Sequence, residues 1–395
     1  MFEINGKYTK ATVYTDNIEE HAVAQILEVC NQEFTKDCKV AIMPDVHYGK
    51  DCTIGTSMEI KDKVVPGLVG LDIGCGIFCV RLKEKKIDFE ILDETIRKYV
   101  PFGRELNDEY HSFASRIDMD KMICKKGFNE DKAKKGIGTL GGGNHFIEVN
   151  KDDEDNLYLV IHTGSRLFGK QVAEYYHKLA VKTMTDTRGI KTSLIEKLLR
   201  EGRKLEINKE LKKIKKPNII EHLAYLEGDN LKDYLHDIDI VQRYSTENRH
   251  AIADIIISKM NLTVDEEFTT IHNYIDTEYK ILRKGAISAK LNEKVIIPIN
   301  MRDGSIIAIG KGNPDWNYSA PHGAGRLFSR RDAKEMLSLD EFKDTMEGIW
   351  STSVSEATLD ESPMAYKPID EIINNVKDTI DIVSVIKPVY NFKAN

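Results

Sequence analysis

The sequence predicts an α+β fold with β-sheets flanked by helices, and its 395 residues can form one large domain or two to three smaller ones. Apolar, β-branched runs closed by glycine or proline occur in the first hundred residues and return after residue 286, which is typical of strands. Between them, residues 168–260 have helical periodicity and are expected to form an insertion-like helical subregion of the same domain. Strands and helices do not alternate regularly, so the pattern favours α+β over a doubly wound parallel sheet.

The individual elements follow from local patterns along the chain. Apolar residues spaced as on one helix face, after Thr15-Asp16-Asn17, predict a helix within residues 17–35. The predicted strands are Lys39–Met43, Val64–Leu71, Ile77–Leu82, Leu157–Ile161, Ala286–Ile299 and Ser305–Ile309. The other predicted helices are residues 168–216, Tyr234–Met260 and Asp370–Ile386. We interpret the lysine-rich run Lys209–Lys216 as a solvated helix face rather than an RNA-binding stripe.

The composition is that of an ordinary globular protein, with 41% hydrophobic and 31% charged residues. A formal net charge of −7 argues against a generic basic nucleic-acid binder, but it leaves room for a local cleft in which Arg and Lys face phosphates. No apolar stretch is long enough to cross a membrane, and no signal peptide is evident. The six cysteines lack the spacing of a disulfide framework, so we expect a cytoplasmic protein with reduced thiols.

Two predicted strand ends carry residues that can bind metals. In Asp72-Ile-Gly-Cys75, the spacing lets a carboxylate and a thiol point at one ion, although an Asx-turn beside a buried cysteine would look the same. His162 ends an apolar strand and precedes Thr-Gly-Ser-Arg166, whose donors suit a phosphate; the alternative is a satisfied core histidine. His272, in Ile-His-Asn-Tyr, is a weaker candidate of the same kind.

The segment Gly141–Glu148 is more specific. Three successive glycines indicate a backbone that must bend or approach a ligand closely, and Asn144 and His145 follow them directly; a plain turn before a strand is the alternative. Together these segments offer one Asp, one Cys and three or four His, a set too large for one tetrahedral structural zinc. The set suits two borderline cations, Mn²⁺, Zn²⁺ or Fe²⁺, with open positions for a substrate.

One further histidine, His322, stands among small residues in Ser-Ala-Pro-His-Gly-Ala-Gly-Arg. Small residues let the backbone approach a ligand, arginines such as Arg326 bind phosphate oxygens, and a neutral imidazole is a nucleophile or a metal ligand. This combination predicts covalent chemistry on a phosphorus centre. Neither a P-loop nor a dinucleotide-binding glycine motif is present, so a nucleotide would be bound in another way.

These motifs resemble those of the RtcB family of RNA-splicing and RNA-repair ligases, and they occur in family order from about residue 40 onward. The resemblance implies a single RtcB-like domain over residues 1–395, with a central cleft for metal and nucleotide. The matching segments are Met43-Pro-Asp45-Val-His47, Gly70-Leu-Asp72-Ile-Gly-Cys75-Gly, Gly141–Glu148, His162–Arg166, Tyr234-Leu-His-Asp with Asn248-Arg249, His272-Asn, Arg283-Lys284-Gly-Ala and His322–Arg326.

The resemblance implies a GTP- and Mn²⁺-dependent ligase that joins RNA 3′-phosphate or 2′,3′-cyclic-phosphate ends to 5′-hydroxyl ends, in tRNA splicing or RNA repair. In that family the histidine matching His322 is guanylylated, and GMP then activates the RNA 3′-end. Residues that match ligands of two Mn²⁺ ions are Asp72, Cys75, His145, His162 and His272. Residues that match GTP or GMP contacts are Asn144, Phe146, Glu148, Asn300, His322, Gly323, Ala324, Gly325, Tyr366 and Lys393. Residues that match phosphate or RNA contacts are Arg166, Arg326, Lys284 and Asp45.

The sequence departs from the family pattern at Pro298-Ile299-Asn300-Met301, where members usually carry Pro-Gly-Ser or Pro-Gly-Asp before the methionine. The resemblance therefore does not predict whether this loop contacts guanine. One alternative function is a dinuclear metal-dependent phosphodiesterase that acts on cyclic phosphate ends without guanylylation, and another is an RNA-end or nucleotide binder. The expected partners are RNA ends, GTP and an archease-like activator, for a monomer that does not associate with membranes.

Overall fold

The computed structural model describes residues 1–394 and confirms the α+β class, with two large β-sheets and helices packed against them. The helices are α1 (Glu20–Cys30), α2 (Phe89–Tyr99), α3 (Glu130–Lys135), α4 (Arg166–Met184), α5 (Arg188–Arg200), α6 (Ile207–Leu211), α7 (Gly228–Met260), α8 (Arg330–Met336), α9 (Leu339–Thr345) and α10 (Ile369–Asn375). The strands are β1 (Phe2–Asn5), β2 (Lys10–Val13), β3 (Val40–His47), β4 (Ile54–Glu59), β5 (Lys63–Val64), β6 (Gly76–Leu82), β7 (Phe146–Lys151), β8 (Leu157–Thr163), β9 (Leu226–Glu227), β10 (Val264–Ile271), β11 (Asn273–Asp276), β12 (Ile281–Lys284), β13 (Ala286–Ser288), β14 (Lys294–Asn300), β15 (Gly304–Gly310), β16 (Ser319–Pro321) and β17 (Ile380–Lys393).

The strands form a six-stranded sheet, in the order β1-β2-β3-β4-β12-β11, and a seven-stranded sheet, in the order β10-β6-β8-β7-β17-β15-β14. The pairing of β2 with β3 is parallel, and the other pairings in both sheets are antiparallel. A single residue, His272, separates β10 in the seven-stranded sheet from β11 in the six-stranded sheet. The two sheets therefore meet at a candidate metal ligand.

Both faces of the seven-stranded sheet are buried. On one face, Phe78 and Leu159 pack with Ile252 of α7. On the other face, Ile77 and Val160 belong to a separate apolar cluster. Successive residues of a strand point to opposite faces of the sheet, so a strand that is buried on both faces must be apolar throughout. Such continuous apolar runs are why β6 and β8 could be predicted from the sequence.

Residues 168–260 contain most of α4 and all of α5, α6 and α7, with β9 before α7. The long helix α7 packs against α2, α4, β6 and β8, which ties the subregion to the seven-stranded sheet. The lysines of residues 209–216 are exposed, as predicted, but α6 ends at Leu211, so most of this run does not form a helix face. Within residues 1–394, no helix has both the length and the apolar character that crossing a membrane requires.

Three predictions of individual elements are wrong. The strand predicted for Ala286–Ile299 is interrupted: β13 ends at Ser288 and pairs with β16, whereas β14 begins at Lys294 and belongs to the seven-stranded sheet. Of Val64–Leu71, only Val64 belongs to a strand, because Pro66 lacks a backbone N–H and begins a 3₁₀ turn instead. The helix predicted for Asp370–Ile386 ends at Asn375, and Ile380 begins the long strand β17. The first half of β17 pairs with β15 and its second half pairs with β7. The run of isoleucine and valine therefore lies in a strand inside the sheet and not on a helix face.

Candidate active site

Four adjacent strands bring the predicted metal ligands to one edge of the seven-stranded sheet. Cys75 directly precedes β6, His145 directly precedes β7, His162 lies next to the end of β8, and His272 directly follows β10. Because these neighbours in the order β10-β6-β8-β7 are antiparallel, the starts of β6 and β7 lie beside the ends of β8 and β10. Residues far apart in sequence thus converge, and Asp72 joins them from the turn before β6.

The ligand atoms form two groups that share the Cys75 thiol. One group contains Asp72, Cys75 and His145, the other contains Cys75, His162 and His272, and within each group the atoms lie within 4.8 Å of one another. Cys75 Sγ is 3.6 Å from His145 Nε2 and 3.3 Å from His162 Nε2. His145 Nε2 is 3.0 Å from Asp72 Oδ2, and His162 Nε2 is 3.3 Å from His272 Nε2.

Backbone carbonyls orient two of these imidazoles. His145 Nδ1 donates to the carbonyl of Leu140 at 2.9 Å, and His162 Nδ1 donates to the carbonyl of Asn144 at 3.0 Å. Each bond leaves Nε2 unprotonated and directed into the cluster, which is the usual arrangement behind metal-bound histidine. His272 Nδ1 is buried and has no hydrogen-bond partner within residues 1–394.

The protonation states of the ligand side chains are compatible with the binding of metal cations. Burial raises the pKa of the Cys75 thiol well above its usual value and lowers the pKa of His162 and His272 well below theirs. The imidazoles of His162 and His272 are therefore neutral, and each can offer a lone pair to a metal ion. Burial would also raise the pKa of Asp72, but the neighbouring side chains of His145, Arg166 and Cys75 together outweigh burial, and the pKa falls to about 2. One oxygen, one sulfur and three nitrogen ligands so close together fit two divalent cations, which would also allow the thiol to ionise.

Close packing explains why position 164, directly after Thr163, is a glycine. A Cβ placed on Gly164 would lie 2.1 Å from Asp72 Oδ1, so any side chain here would displace the carboxylate. The next residue, Ser165, donates its backbone N–H to the same oxygen at 3.0 Å. The end of β8 therefore both makes room for Asp72 and holds it in place.

Two buried polar residues of α7 support the loops that carry the ligands. The Arg249 side chain is fully buried and donates to the carbonyls of Gly74 at 2.8 Å and Thr163 at 3.0 Å. Asn248 accepts from the backbone of Gly138 and Thr139 and donates to the carbonyls of Thr139 and Gly164. The sequence identified Asn248 and Arg249 only through the family resemblance; their structural task is to fix the two strand ends beside the cluster.

His322 lies beside the ligand cluster, with its ring centroid 5.0 Å from that of His272. Asp45, at the buried end of β3, accepts from His322 Nδ1 at 2.6 Å and from the backbone N–H groups of residues 322 and 323 at 3.0 and 3.1 Å. Within residues 1–394, His322 Nε2 makes no hydrogen bond. A histidine whose Nδ1 is held by a carboxylate presents the Nε2 lone pair, so the geometry suits a nucleophile.

Asp45 is placed differently from the phosphate- and RNA-contacting residues with which the sequence grouped it. Its side chain is 0% exposed, so it has no surface with which to meet RNA in this arrangement. Gly325 allows the burial: its φ is +79°, and a Cβ there would lie 2.4 Å from the carbonyl oxygen of Asp45. The glycines after His322 thus let the loop fold over the carboxylate that orients the ring.

A cavity of about 920 Å³ extends from His322. Phe146 and Glu148 of β7 line it together with Lys393 of the paired strand β17. The ten residues that the sequence assigned to GTP all line this cavity: Asn144, Phe146, Glu148, Asn300, His322, Gly323, Ala324, Gly325, Tyr366 and Lys393. The Asn300 side chain also caps its own turn, because its Oδ1 accepts from the backbone of residues 302 and 303.

Glu148 is a buried carboxyl group with unusual titration. Burial raises its pKa to about 7, and the nearby ammonium of Lys393 opposes that rise only in part. Two asparagines bind it from the same sheet: Asn391 Nδ2 donates to Oε1 at 2.5 Å and Asn150 Nδ2 donates to Oε2 at 3.3 Å. The carboxyl group is thereby fixed in orientation at the wall of the cavity.

The three cationic side chains predicted to meet phosphates occupy different positions. Lys284 lines a smaller cavity of about 290 Å³ that also contacts Asp72, Cys75 and His272. Its Nζ donates to the carbonyls of residues 50 and 67, and it has no carboxylate partner in the part of the chain that the structure describes. Arg326 lines the large cavity, whereas Arg166 lines neither cavity and donates to backbone and hydroxyl oxygens instead.

The sequence did not identify Glu361, which is buried at the wall of the large cavity. It contacts Lys393, Tyr366 and two arginines, Arg326 and Arg330. In the sequence it stands in an ordinary acidic turn, Leu-Asp-Glu-Ser-Pro, without glycine or histidine. Its role depends on cations brought from other segments, so no local signal distinguishes it.

Comparison with known proteins places this chain in a family. The family model described as tRNA-splicing ligase RtcB matches residues 25–129 and 124–394. An RNA-splicing ligase RtcB1 of Escherichia coli is 30% identical, and the alignment covers 95% of this chain and 95% of that protein. RNA-splicing ligase RtcB of Escherichia coli strain K12 is 28% identical with the same coverage. A tRNA-splicing ligase RtcB of Aeropyrum pernix is 26% identical, covering 84% of this chain and 82% of that protein.

Proposed function

The chain belongs to the RtcB family of tRNA-splicing ligases and is an RNA ligase, and we propose that it uses GTP to join RNA 3′-phosphate or 2′,3′-cyclic-phosphate ends to 5′-hydroxyl ends. The observation that carries this proposal is the position of His322. Its ring lines both the large cavity and the smaller cavity beside the metal-ligand cluster. A nucleophile at that junction can take a group from a nucleotide on one side and pass it to a phosphate on the other.

Asp45 prepares His322 for attack. The carboxylate accepts Nδ1–H, so Nε2 keeps its lone pair and attacks the α-phosphorus of GTP. A phosphorus–nitrogen bond forms as the bond to the bridging oxygen breaks, and pyrophosphate leaves. The ring becomes positively charged in this step, and the buried carboxylate 2.6 Å from Nδ1 stabilises that charge.

The cluster of Asp72, Cys75, His145, His162 and His272 would hold two Mn²⁺ ions, with Cys75 belonging to both ligand groups. When bound, the ions supply positive charge that offsets the phosphate oxygens and favours departure of the leaving group. The neutral imidazoles of His162 and His272 and the Asp72 carboxylate provide lone pairs without prior loss of a proton. The thiol of Cys75 must lose its proton on binding, so metal uptake releases a proton.

The wall of the large cavity formed by Glu148 and Lys393 supports a preference for guanine. The carboxylate of Glu148 can accept from both N1–H and the 2-amino group, and the Lys393 ammonium can donate to O6. Adenine has an unprotonated N1 and an amino group where guanine has O6, so these same groups would be mismatched. Tyr366 lines the same cavity and could stack on the base.

The guanylyl group then passes to RNA. An oxygen of the RNA 3′-phosphate attacks the phosphorus on His322, the phosphorus–nitrogen bond breaks, and GMP is joined to the RNA 3′-end. The 5′-hydroxyl of the second strand attacks the 3′-phosphate, loses its proton and releases GMP. A cyclic phosphate must first be opened by water. Lys284, a buried cation without a carboxylate partner in residues 1–394, supports anion binding in the smaller cavity beside the cluster.

Intact-protein mass spectrometry after incubation with GTP and Mn²⁺ tests the nucleotidyl transfer. We expect a mass gain of one GMP in the native protein, none with ATP or without metal, and none in His322→Ala. His177→Ala, which removes a histidine of α4 outside both cavities, is the matched control and should form the adduct. Opening of a cyclic phosphate without any adduct would overturn the ligase mechanism in favour of the phosphodiesterase.

A further inference from the structure

Glu361 gathers side-chain donors at the wall of the large cavity although it is only 2% exposed. Its Oε2 accepts from Lys393 Nζ at 2.7 Å and from Tyr366 OH at 2.8 Å. Its Oε1 lies 2.7 Å from Arg330 Nη1 and 3.5 Å from Arg326 Nη1. A buried carboxylate requires such partners, and here the partners are side chains that themselves line the cavity.

Lys393 interacts with two buried glutamates, through an ion pair with Glu361 and through its charge with Glu148. Its ammonium donates to Glu361, sits 5.4 Å from the centroid of the Phe146 ring, and acts electrostatically on Glu148 of the paired strand. Its backbone is fixed, because its N–H donates to Ser353 Oγ at 2.9 Å and its carbonyl accepts from the same hydroxyl at 3.0 Å. Only the flexible side chain decides which carboxylate the ammonium meets.

We infer that Glu361 is a positioning residue that holds the Lys393 ammonium away from Glu148 and fixes the hydroxyl of Tyr366, which leaves Glu148 free to accept from the base of a nucleotide. This inference rests on the proposed function, in which Glu148 reads guanine. A glutamate that is already ion-paired with lysine offers fewer lone pairs to a ligand. Glu361 therefore sets nucleotide selectivity without touching the nucleotide base itself.

The electrostatics of the two glutamates support this arrangement. Burial alone would raise the pKa of Glu361, but Lys393 and the two arginines outweigh it and lower the pKa to about 2. Burial dominates at Glu148, whose pKa rises to about 7. The other groups that bind Glu148, two asparagine amides, do not titrate. The lysine charge is thus committed mainly to Glu361.

Glu361→Gln keeps the size of the side chain and removes its charge, so the ammonium should move toward Glu148. In single-turnover formation of the GMP adduct, we expect the KM for GTP to rise about tenfold while the maximal rate stays within about twofold, because a charged hydrogen bond to the base is lost and the reacting atoms are untouched. The preference for GTP over ATP should fall by a similar factor. Glu356→Gln, an exposed residue of the same 3₁₀ turn, is the matched control and should match the native protein.

The pH dependence of adduct formation separates this role from a general loss of structure. Lys393→Met removes the cation that lowers the pKa of Glu148, so the acid limb of kcat/KM for GTP should move to higher pH. Glu361→Gln should move the limb to lower pH, because the cation approaches Glu148. Movement in the same direction, or none, would overturn the inference.

A double variant covers the case in which Glu361→Gln does not fold. In Glu361→Gln with Lys393→Met, both charges of the pair are gone, and the acid limb should coincide with that of Lys393→Met alone. A further shift would mean that Glu361 acts on Glu148 by another route and would contradict the inference. If the native protein forms no GMP adduct, the proposed function fails; if it does and Glu361→Gln keeps the native KM and pH profile, only this inference fails.

Discussion

At the scale of single residues, the hydrogen bond between Asp45 and His322 decides whether the imidazole can react. The carboxylate holds Nδ1 at 2.6 Å and is itself shielded from water. An amide in its place could bind the opposite tautomer, which would turn a protonated Nε2 toward the α-phosphorus. Asp45 is therefore expected to matter for the rate of attack and not for the binding of metal.

Asp45→Asn should slow GMP-adduct formation at saturating GTP and Mn²⁺ by about 100-fold or more, by analogy with other carboxylates that orient a catalytic histidine. The measurement is the single-turnover rate followed by intact mass. Bound manganese should stay unchanged, because Asp45 lies outside the ligand groups. A native rate in this variant would contradict the assignment of Asp45 as the residue that orients His322.

Glu148 should give the reaction a pH dependence near neutrality. Its pKa is raised to about 7 by burial, and only the ionised form can accept two hydrogen bonds from guanine. As the pH falls through about 7 the carboxyl gains a proton, so kcat/KM for GTP should decrease below pH 7 and level off above it. Glu148→Gln should show a low and pH-independent value in the same range, measured at saturating metal. A native profile that is flat between pH 6 and 8 would exclude this role.

The functional role of a residue could be predicted from the sequence where a motif combines a reactive side chain with glycine. Cys75, His145 and His322 each stand in such a setting, so their convergence could be proposed from the sequence. Glu361 could not, because an acidic residue in a polar turn is ordinary until the fold surrounds it with cations. Asp45 was found as a motif member, but its burial beneath His322 depends on a contact between β3 and a loop nearly 280 positions later.

At the scale of elements, antiparallel pairing explains how the site is assembled. The starts of β6 and β7 and the ends of β8 and β10 share one sheet edge, so short turns suffice to carry every ligand. Strands buried on both faces, such as β8, were readable from their apolar runs. β17 was misread as helix in its first half, because a charged start followed by isoleucine and valine fits either period until its neighbours β15 and β7 are known.

The end of β8 offers a test at this scale. Gly164→Ala would place a Cβ 2.1 Å from Asp72 Oδ1, so the carboxylate must move out of its ligand group. We expect about half of the bound manganese to be lost, because the group with His162 and His272 does not contain Asp72. Metal analysis by mass spectrometry after gel filtration measures the loss. Gly189→Ala in α5, where a Cβ meets nothing within 4 Å, is the control and should bind metal normally.

At the scale of the whole molecule, the candidate metal cluster lies where the two large sheets meet. His272 is the single residue between β10 and β11, and the other ligands border strands of the seven-stranded sheet. The α+β class followed from local patterns, but the strand order of both sheets did not, because pairings such as β4 with β12 join distant parts of the chain. A ligand that binds at this junction should stabilise the entire fold, since its donors come together only in the folded state.

Thermal unfolding with and without Mn²⁺ tests this coupling. A ligand present at about 1,000 times its dissociation constant adds about 4 kcal/mol to the free energy of unfolding, which corresponds to an increase in Tm of several degrees for a protein of this size. We expect that increase in the native protein and its reversal by a chelator.

Cys75→Ala removes the donor common to both ligand groups and should abolish most of the increase. Cys79→Ala, a buried cysteine of β6 outside both groups, separates loss of packing from loss of metal: its Tm should fall without metal, yet rise with Mn²⁺ as much as the native protein. Equal shifts in all three proteins would show that manganese acts elsewhere on the molecule.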